Sequence, residues 1–395
     1  MKFERAALSL PHLWSSPFVR WQGALADISS IDLACVVTTD ALKARGVDPA
    51  MVDRLVLGST VPQAKTFYAA PWLAARLGMP GISGPLIAQA CATSVVALTL
   101  AACAVEMDAQ ATPLLVVSDR TSNGPLLVYP QTAGQGGAPQ TEHWVLDNFA
   151  ADPNTGQAMI ATAETTARDG AMGRAELDDL SLLRWQQYQH ALADDRRFQR
   201  QYMVPVRLTQ SRKVVSVEAD EGVHAYSAEG LAALRPVVPN GVVTFGGQTH
   251  PADGCAGALV CDMRRAKALS GGQGVVRLLA MGQARAAPAE MPKAATTAAQ
   301  NALALAGLSI ADVRYVVSHN PFAVNDLWFA RQTGFPLERM NPFGCSLIYG
   351  HPQGPTGLRG IAELAWALRQ AGGGIGLFTG CAAGDTGAAV VLRVD

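Results

Sequence analysis

The sequence predicts an α/β fold made of two similar halves that are joined by an inserted segment. Short apolar strands alternate with helices along most of the chain, a pattern typical of sheets that helices cover on both faces. The chain also repeats itself at a separation of about 260 residues, and its middle part has a different composition. From the alternation we expect sheets that are rich in parallel strand pairs.

The repeat preserves three elements in one order. Residues 39–59 predict a helix that stops at Gly46 and an apolar strand that ends near Gly58, and residues 298–320 repeat this pattern with Gly307 at the helix stop. The other two pairs are turns that begin an apolar helix and short apolar strands; they are residues 90–107 with 350–368, and 112–120 with 374–381. The helix after residue 93 carries almost no charge before Glu106, so we expect it to be buried on all sides.

The middle segment divides the chain into domains. It opens with a Gly/Pro/Gln-rich stretch, YPQTAGQGGAPQ, and continues with long polar helices. We therefore predict a first half at residues 1–120 plus about 241–265, an inserted loop or lid domain at 121–240, and a second half at 266–395.

Composition excludes several classes of protein. The 395 residues are 49% hydrophobic, which is ample for a large core, and the net charge of −1 offers no general field for nucleic acid or an anionic membrane. No signal-peptide pattern begins the chain and no apolar run reaches the length of a membrane span, so we expect a cytoplasmic protein. The seven cysteines are scattered without a CxxC pair, which predicts free thiols and no metal site.

Cys91 and His351 are the first candidates for chemistry. Cys91 lies at a strand-to-helix turn, where backbone N–H groups and the helix dipole favour a thiolate and lower a thiol pKa. The alternative is a buried structural cysteine. His351 lies in the turn GHPQGPTG, at the position that corresponds to Cys91 in the repeat. A twofold arrangement would therefore bring both residues to one site, with His351 as general base, unless this histidine only caps its turn.

Cys381 and His319 follow strands of the second half. Cys381 occurs in a Gly/Ala-rich stretch between two apolar strands, where small residues allow a ligand to approach. It is also the kind of cysteine that simply fits a crowded turn. His319 ends the strand VRYVVSH, and carboxyl ends of strands are common site positions in α/β folds. A structural histidine explains that position equally well.

Five segments in the same order resemble the thiolase family over nearly the entire chain. They are QACATSVVAL around Cys91, TAETTARDGAMGRAELDDLSLLR after Met159, VVTFGGQTHPADGCAGALV, NPFGCSLIYGHPQGPTGLRG and CAAGDTG. This resemblance implies a layered α/β/α/β/α core and an acyltransferase that exchanges acyl groups between a 3-ketoacyl-CoA and CoA. It implies CoA as a substrate, no permanently bound cofactor, and a homodimer or homotetramer.

The resemblance also implies a role for each matching residue. Cys91 would be the nucleophile, His351 the base that activates it, and Cys381 the acid/base that moves the α-proton of acetyl-CoA. Backbone N–H groups of Cys91 and Ala383 would form one oxyanion hole, and His319 and His351 would form the second. Three further positions would contact the substrate: Thr249 the pantetheine arm, and Met159 and Phe322 the acyl pocket.

Departures from the family pattern occur at three places. The usual NEAF is His319-Asn320-Pro321-Phe322 here, with an imidazole where an asparagine is common, although some subfamilies carry His. Asp385 replaces a glycine near Cys381, where a carboxylate would raise the pKa of the thiol. Val223 and His224 stand where the family has an arginine that contacts the CoA nucleotide.

Two other functions are compatible with the sequence. A decarboxylating condensing enzyme of the same superfamily would not need Cys381, so the presence of this residue argues against that function. A thiolase-like protein that binds acyl-CoA or lipid without turnover would bind tightly and form no Cys91-dependent product. The sequence determines neither the length of the acyl chain nor the direction of the reaction.

Overall fold

Strands and helices of the two halves follow each other in the same order. The computed structural model describes residues 1–132, 136–210 and 213–395; residues 133–135 of the Gly/Pro/Gln-rich stretch lie outside the described part. The strands are β1 (Ala6–Ser15), β2 (Val19–Arg20), β3 (Arg54–Gly58), β4 (Leu86–Ile87), β5 (Pro113–Arg120), β6 (Leu126–Tyr129), β7 (Gln140–His143), β8 (Val206–Gln210), β9 (Lys213–Val217), β10 (Ala252–Asp262), β11 (Val275–Arg285), β12 (Val313–His319), β13 (Gly374–Ala382) and β14 (Thr386–Val394).

The helices complete the repeat and the insertion. They are α1 (Ser30–Ala44), α2 (Ala69–Arg76), α3 (Thr93–Met107), α4 (Leu146–Ala150), α5 (Met159–Asp169), α6 (Arg174–Arg196), α7 (Ala228–Ala233), α8 (Met263–Ser270), α9 (Met291–Ala306), α10 (Ala323–Thr333), α11 (Ser346–Tyr349) and α12 (Pro355–Gln370). Helices α4 to α7 and the hairpins β6–β7 and β8–β9 belong to the inserted segment.

One ten-stranded sheet runs through both halves in the order β12-β13-β14-β11-β1-β10-β5-β3-β4, with β2 beside β10. Counted outward from the middle of the sheet, the first half has the order β1-β10-β5-β3 and the second half has the order β11-β14-β13-β12. Strands at equal distance from the middle correspond to each other. The halves meet where β1 and β11 pair antiparallel. The strand order therefore has a local twofold symmetry, and corresponding turns of the two halves point toward a common centre.

The predicted α/β class is confirmed, but the expected richness in parallel pairs is wrong. Parallel pairs join β3 to β4, β3 to β5, and β12 to β13. All the pairs that involve β1, β10, β11 or β14 are antiparallel. These strands are buried on both faces as parallel strands usually are, so their continuous apolar sequences concealed their direction.

Side chains of successive strand residues enter different layers, as the period of two requires. In the first half Val56, Leu115 and Val117 face the central core, where α3 and α12 lie, whereas Leu55, Leu57 and Leu114 face the outer core around α1 and α2. In the second half Val317, Phe378 and Val390 face the same central core, whereas Val316, Leu377 and Val391 pack against α9. The result is the predicted α/β/α/β/α layering.

Helices α3 and α12 form the central layer and contact each other. Every residue of α12 from Pro355 to Leu368 is buried. The prediction that α3 is buried on all sides is wrong, because Leu100 and Met107 are exposed. The segment Ala90–Met107 is long and apolar enough to cross a membrane, with a mean hydropathy of 1.8, yet 56% of it is buried. Its packing between strands is that of a core helix.

A buried ionic network attaches the inserted segment to α12. The Arg359 guanidinium bonds the Asp220 carboxylate at 2.6 and 2.8 Å and the Glu363 carboxylate at 3.0 Å. The hydroxyl groups of Tyr202 and Tyr349 donate to Glu363 at 2.7 and 2.8 Å. Because the charged side chains are almost completely buried, each charge depends on its partners for the solvation that water would supply.

Arg359→Met tests this attachment. Removing the cation leaves two buried carboxylates without their partner, so we expect the free energy of unfolding to fall by about 3–5 kcal/mol. Urea unfolding followed by circular dichroism measures it. The control is Arg393→Met, which removes an exposed pair with Asp395 and should cost less than about 1 kcal/mol. Equal effects of the two substitutions would contradict the account.

Candidate active site

Turns from both halves meet at one site. Cys91 lies between β4 and α3, and His351 lies between α11 and α12. The residue before each has a left-handed backbone, with φ of +43° at Ala90 and +88° at Gly350. A Cβ atom at position 350 would lie 2.5 Å from the His250 ring, so this turn requires glycine. The equivalence predicted from the repeat is thus seen in the backbone itself.

The Cys91 thiol and the His351 imidazole are in direct contact. His351 Nε2 lies 3.1 Å from Cys91 Sγ, and its Nδ1 lies 2.6 Å from the Thr356 hydroxyl oxygen. Thr356 is one turn further along the same chain segment and fixes the orientation of the ring. When Nδ1–H donates to Thr356, the lone pair of Nε2 faces the thiol. This is the arrangement of a nucleophile with its base.

Burial determines the charge state of this pair. Cys91 borders a cavity, yet enough protein surrounds the sulfur that burial raises the pKa of the thiol to about 12. The backbone N–H groups of Ala383 and Cys91 face the sulfur and oppose this rise, and the Asp119 carboxylate adds to it. Burial and the neighbouring His319 hold the pKa of His351 well below its usual range. The expectation of a lowered thiol pKa is therefore wrong, because desolvation outweighs the helix-start donors.

His319 contacts this pair through the His351 ring. Its ring stacks on that of His351 with centroids 4.0 Å apart, and its Nδ1 lies 3.0 Å from the Ser346 hydroxyl oxygen. Its Nε2 is buried and has no hydrogen-bond partner among the described residues. Burial lowers the pKa of His319 to about 3, so the imidazole is neutral. The strand pairing requires Gly380 opposite His319, since a Cβ atom there would lie 2.8 Å from the His319 Cβ.

Cys381 completes the group as the second-last residue of β13. The Asn325 side-chain amide donates to its sulfur at 3.2 Å. Burial raises the pKa of this thiol, and a thiolate at Cys91 would raise it further. Asp385, which we expected to raise the pKa of Cys381, is not among the groups that raise it. The Asp385 carboxylate instead accepts a hydrogen bond from the Ala289 backbone N–H at 3.1 Å, and this bond holds it in the following turn.

A cavity of about 230 Å³ opens beside these groups. Cys91, His351, Cys381 and Ala383 line it. So do the three residues expected to contact substrate, which are Thr249, Met159 and Phe322. His319 is the one predicted site residue that is not part of this wall. The other lining side chains are mostly apolar, as in a pocket that receives an acyl group and its linker.

Both halves of the chain match profiles of one known family. The profile described as "Thiolase, N-terminal domain" matches residues 14–264, and the profile described as "Thiolase, C-terminal domain" matches residues 273–394.

The chain belongs to the thiolase family.

Individual relatives cover nearly the same length. The chain is 28% identical to the acetyl-CoA acetyltransferase of Escherichia coli (strain K12) over 379 residues, 94% of this chain and 95% of that protein. It is 27% identical to the 3-ketoacyl-CoA thiolase of Pseudoalteromonas translucida over 417 residues, 96% and 94% of the two chains. The fold matches that of human mitochondrial 3-ketoacyl-CoA thiolase in complex with CoA, with a TM-score of 0.90, 24% identity and coverage of 100% and 99%.

Several residues of this thiolase site were not singled out from the sequence. Gln353 lines the cavity beside Cys91, with its side-chain oxygen 3.4 Å from the Cys91 sulfur. Asn325 contacts Cys381, and Thr356 and Ser346 orient the two histidines. Gln353 and Thr356 are part of the GHPQGPTG turn, so that motif was the available signal. Asn325 and Ser346 are distant in sequence from the groups they contact, and only the fold reveals them.

The departure at Val223 also has a structural account. Its side chain packs against a cluster that includes Phe18, Tyr188 and Tyr349. At this position the thiolase therefore packs a half-buried apolar side chain against that cluster, where the family resemblance led us to expect an arginine.

The charge state of Cys91 can be measured directly. Because the pKa of the Cys91 thiol is about 12, this residue should form almost no thiolate between about pH 6 and 9. Wild type and Cys91→Ser should therefore have the same ultraviolet thiolate absorbance in that range. A difference should appear only at higher pH. The difference between wild type and Cys91→Ser isolates this thiol from the other six cysteines. A Cys91-dependent titration with a midpoint below about pH 8 would show a thiolate–imidazolium pair and contradict the account.

Proposed function

We propose that this thiolase transfers acyl groups between 3-ketoacyl-CoA and CoA through an acyl-enzyme at Cys91. The observation that carries the proposal is the meeting of Cys91, His351 and Cys381 at one cavity, with Cys91 Sγ 3.1 Å from His351 Nε2. The activities of the relatives, named as acetyl-CoA acetyltransferases and 3-ketoacyl-CoA thiolases, support it. The neighbouring fold that holds CoA supports CoA as the substrate.

In thiolysis the first step is attack of Cys91 Sγ on the 3-keto carbon of the substrate. Because the resting pair is neutral, the thiol proton passes to His351 Nε2 as the C–S bond forms. The bond between C2 and C3 then breaks and its electron pair becomes the enolate of acetyl-CoA. Cys381 donates its proton to that enolate, and acetyl-CoA leaves with Cys91 acylated.

The second step returns the enzyme to its starting state. The thiol of CoA attacks the acyl carbon, its proton passes to the Cys381 thiolate, and the bond to Cys91 breaks. Cys91 recovers its proton from His351, and the product is an acyl-CoA two carbons shorter. Condensation is the same sequence in reverse, so the concentrations of the acyl-CoA species determine the direction.

Two groups of donors serve the developing oxyanions. Backbone N–H groups of Ala383 and Cys91 already face the Cys91 sulfur, and they are placed to stabilise the oxygen of a carbonyl carbon bonded to that sulfur. His319 serves the thioester oxygen of acetyl-CoA. When the Ser346 hydroxyl donates to Nδ1 of His319, the proton is on Nε2, which has no partner within the described part of the chain.

The second proposal concerns the setting of the enzyme. We propose a cytoplasmic homodimer or homotetramer that acts in fatty acid metabolism. Support for association comes from the edge of the large sheet, where β4 is the last strand. Leu86 on this strand exposes 44% of its surface, and Phe67 and Tyr68 before α2 expose 99% and 64%. Exposed sheet edges and large exposed apolar side chains are often covered by another chain.

The central test is the loss of CoA-dependent thiolysis in two variants. Cys91→Ala removes the nucleophile and should lower kcat at least about 10³-fold, and Cys381→Ala removes the proton donor and should lower it about 10²- to 10⁴-fold. The assay follows 3-ketoacyl-CoA consumption from acetoacetyl-CoA to long chains. Cys35→Ser, at a half-exposed cysteine on α1, is the control and should retain activity.

Two outcomes of this assay would contradict the proposal. Full activity of Cys91→Ala would exclude the acyl-enzyme. Absence of thiolysis by folded wild type at every chain length, together with tight acyl-CoA binding, would favour a binding protein without turnover.

A second cavity suggests how chain length is selected. It measures about 290 Å³, shares Phe149, Gln353 and Ala383 with the first cavity, and extends past Ala90 toward Trp144. Phe149 of α4 thus lies between the two spaces. We expect Phe149→Ala to join them and to raise kcat/KM for long-chain relative to short-chain 3-ketoacyl-CoA.

The control for this change is Leu146→Ala on the same helix, where the side chain is 46% exposed. It should leave the ratio of long-chain to short-chain kcat/KM as in wild type. An unchanged ratio in Phe149→Ala would show that the second cavity does not receive the acyl chain.

A further inference from the structure

Three potential metal ligands lie together at the centre of the site. One ligand atom each from Cys91, His319 and His351 falls within 4.8 Å of the other two. For Cys91 and His351 these include Sγ and Nε2, 3.1 Å apart. For His319 the atom without a hydrogen-bond partner in the described part of the chain is Nε2, since Nδ1 contacts Ser346. The reaction proposed above uses no metal, so this arrangement has a separate chemical consequence.

We propose that Cys91, His319 and His351 form a reversible inhibitory site for Zn²⁺ and similar thiophilic divalent cations. One thiolate with two imidazoles is a ligand set that Zn²⁺ binds well, with bonds of about 2.3 Å to sulfur and about 2.0–2.1 Å to nitrogen. Mg²⁺ and Ca²⁺ prefer oxygen ligands and are excluded. Cys91 and His351 line the substrate cavity, which provides the route of entry.

The surroundings of the two histidines match those of metal ligands. Each imidazole has its Nδ1 held by a hydroxyl group, at Ser346 for His319 and at Thr356 for His351. In the metal-bound state the Nδ1–H of each ring donates to its hydroxyl oxygen, which orients the ring and leaves the lone pair on Nε2. For His319 this is the tautomer opposite to the one that donates to a thioester oxygen. The two rings stack 4.0 Å apart with an interplanar angle of 24°, and this packing keeps a His319 ligand atom within 4.8 Å of the ligand atoms of Cys91 and His351. Because His319 is 2% exposed, water does not compete for this nitrogen.

Binding of the cation changes no oxidation state. The Cys91 S–H bond breaks, its proton is released to solvent, and the thiolate sulfur bonds to the metal. A metal-bound sulfur cannot attack a 3-keto carbon, and His351 no longer accepts a proton. Inhibition therefore competes with acylation and is reversed by a chelator.

Binding of Co²⁺ to the free enzyme tests the site without any substrate. Wild type should show the near-ultraviolet charge-transfer band of a thiolate–Co²⁺ bond at one equivalent, and Zn²⁺ should displace the Co²⁺ and slow alkylation of Cys91 by iodoacetamide. Cys91→Ser should abolish the band, which excludes binding at the half-exposed Cys35 and Cys103. Mg²⁺ should give neither effect.

His319→Asn is the decisive variant, because its amide N–H replaces the imidazole N–H as a hydrogen-bond donor while the imidazole metal ligand is removed. We expect its Zn²⁺ affinity to fall by more than about 100-fold, with Cys345→Ala as a control for folding in the same buried region. Equal affinity of His319→Asn and wild type would overturn the site, as would a wild type without the band or the protection. Since both readouts omit acyl-CoA, failure of thiolysis would affect only the proposed function.

Discussion

The contact between Cys91 Sγ and His351 Nε2, 3.1 Å long, depends on the packing of both halves of the chain. Each residue precedes one of the two central helices, and these helices touch only because β1 and β11 join the half-sheets edge to edge. The Ser94 hydroxyl donates to the Gly354 carbonyl oxygen at 2.5 Å and connects the first turns of α3 and α12. The Asp119 carboxylate adds a second connection, because it accepts from the Gly354 N–H and from the loop after β3. Neither half could form this site alone.

Burial of that contact determines how the chemistry must proceed. Burial raises the pKa of both thiols and lowers that of both histidines, which favours the neutral form of these four groups at rest. Charge then appears only as bonds change, next to backbone N–H groups that are already in position. A preformed thiolate would be more nucleophilic but would cost desolvation in the resting enzyme. The permanently buried charges of Arg359 and Asp220 lie in a separate network that anchors the inserted segment.

Sequence alone predicted much of this, and its failures have physical causes. The whole-domain repeat predicted that Cys91 and His351 share a site, because a helix-starting turn occupies the same place in each half. The direction of the strands could not be predicted, since β10 and β14 are as apolar as parallel strands and only their hydrogen bonds distinguish them. The thiol pKa was predicted with the wrong sign because a sequence shows the helix start but not the protein that surrounds it. Asn325 and Ser346 were missed because their contacts to Cys381 and His319 arise from tertiary packing.

Trapping the acyl-enzyme is the most direct measurement of the central claim. The enzyme would be mixed with a 3-ketoacyl-CoA in the absence of free CoA, quenched in acid and digested, and its peptides analysed by mass spectrometry. The account predicts that the acyl group, two carbons shorter than the substrate acyl chain, is on the peptide that contains Cys91 and disappears when CoA is added before quenching. Acylation of a different residue, or acetyl-CoA formation without any acylated peptide, would contradict it.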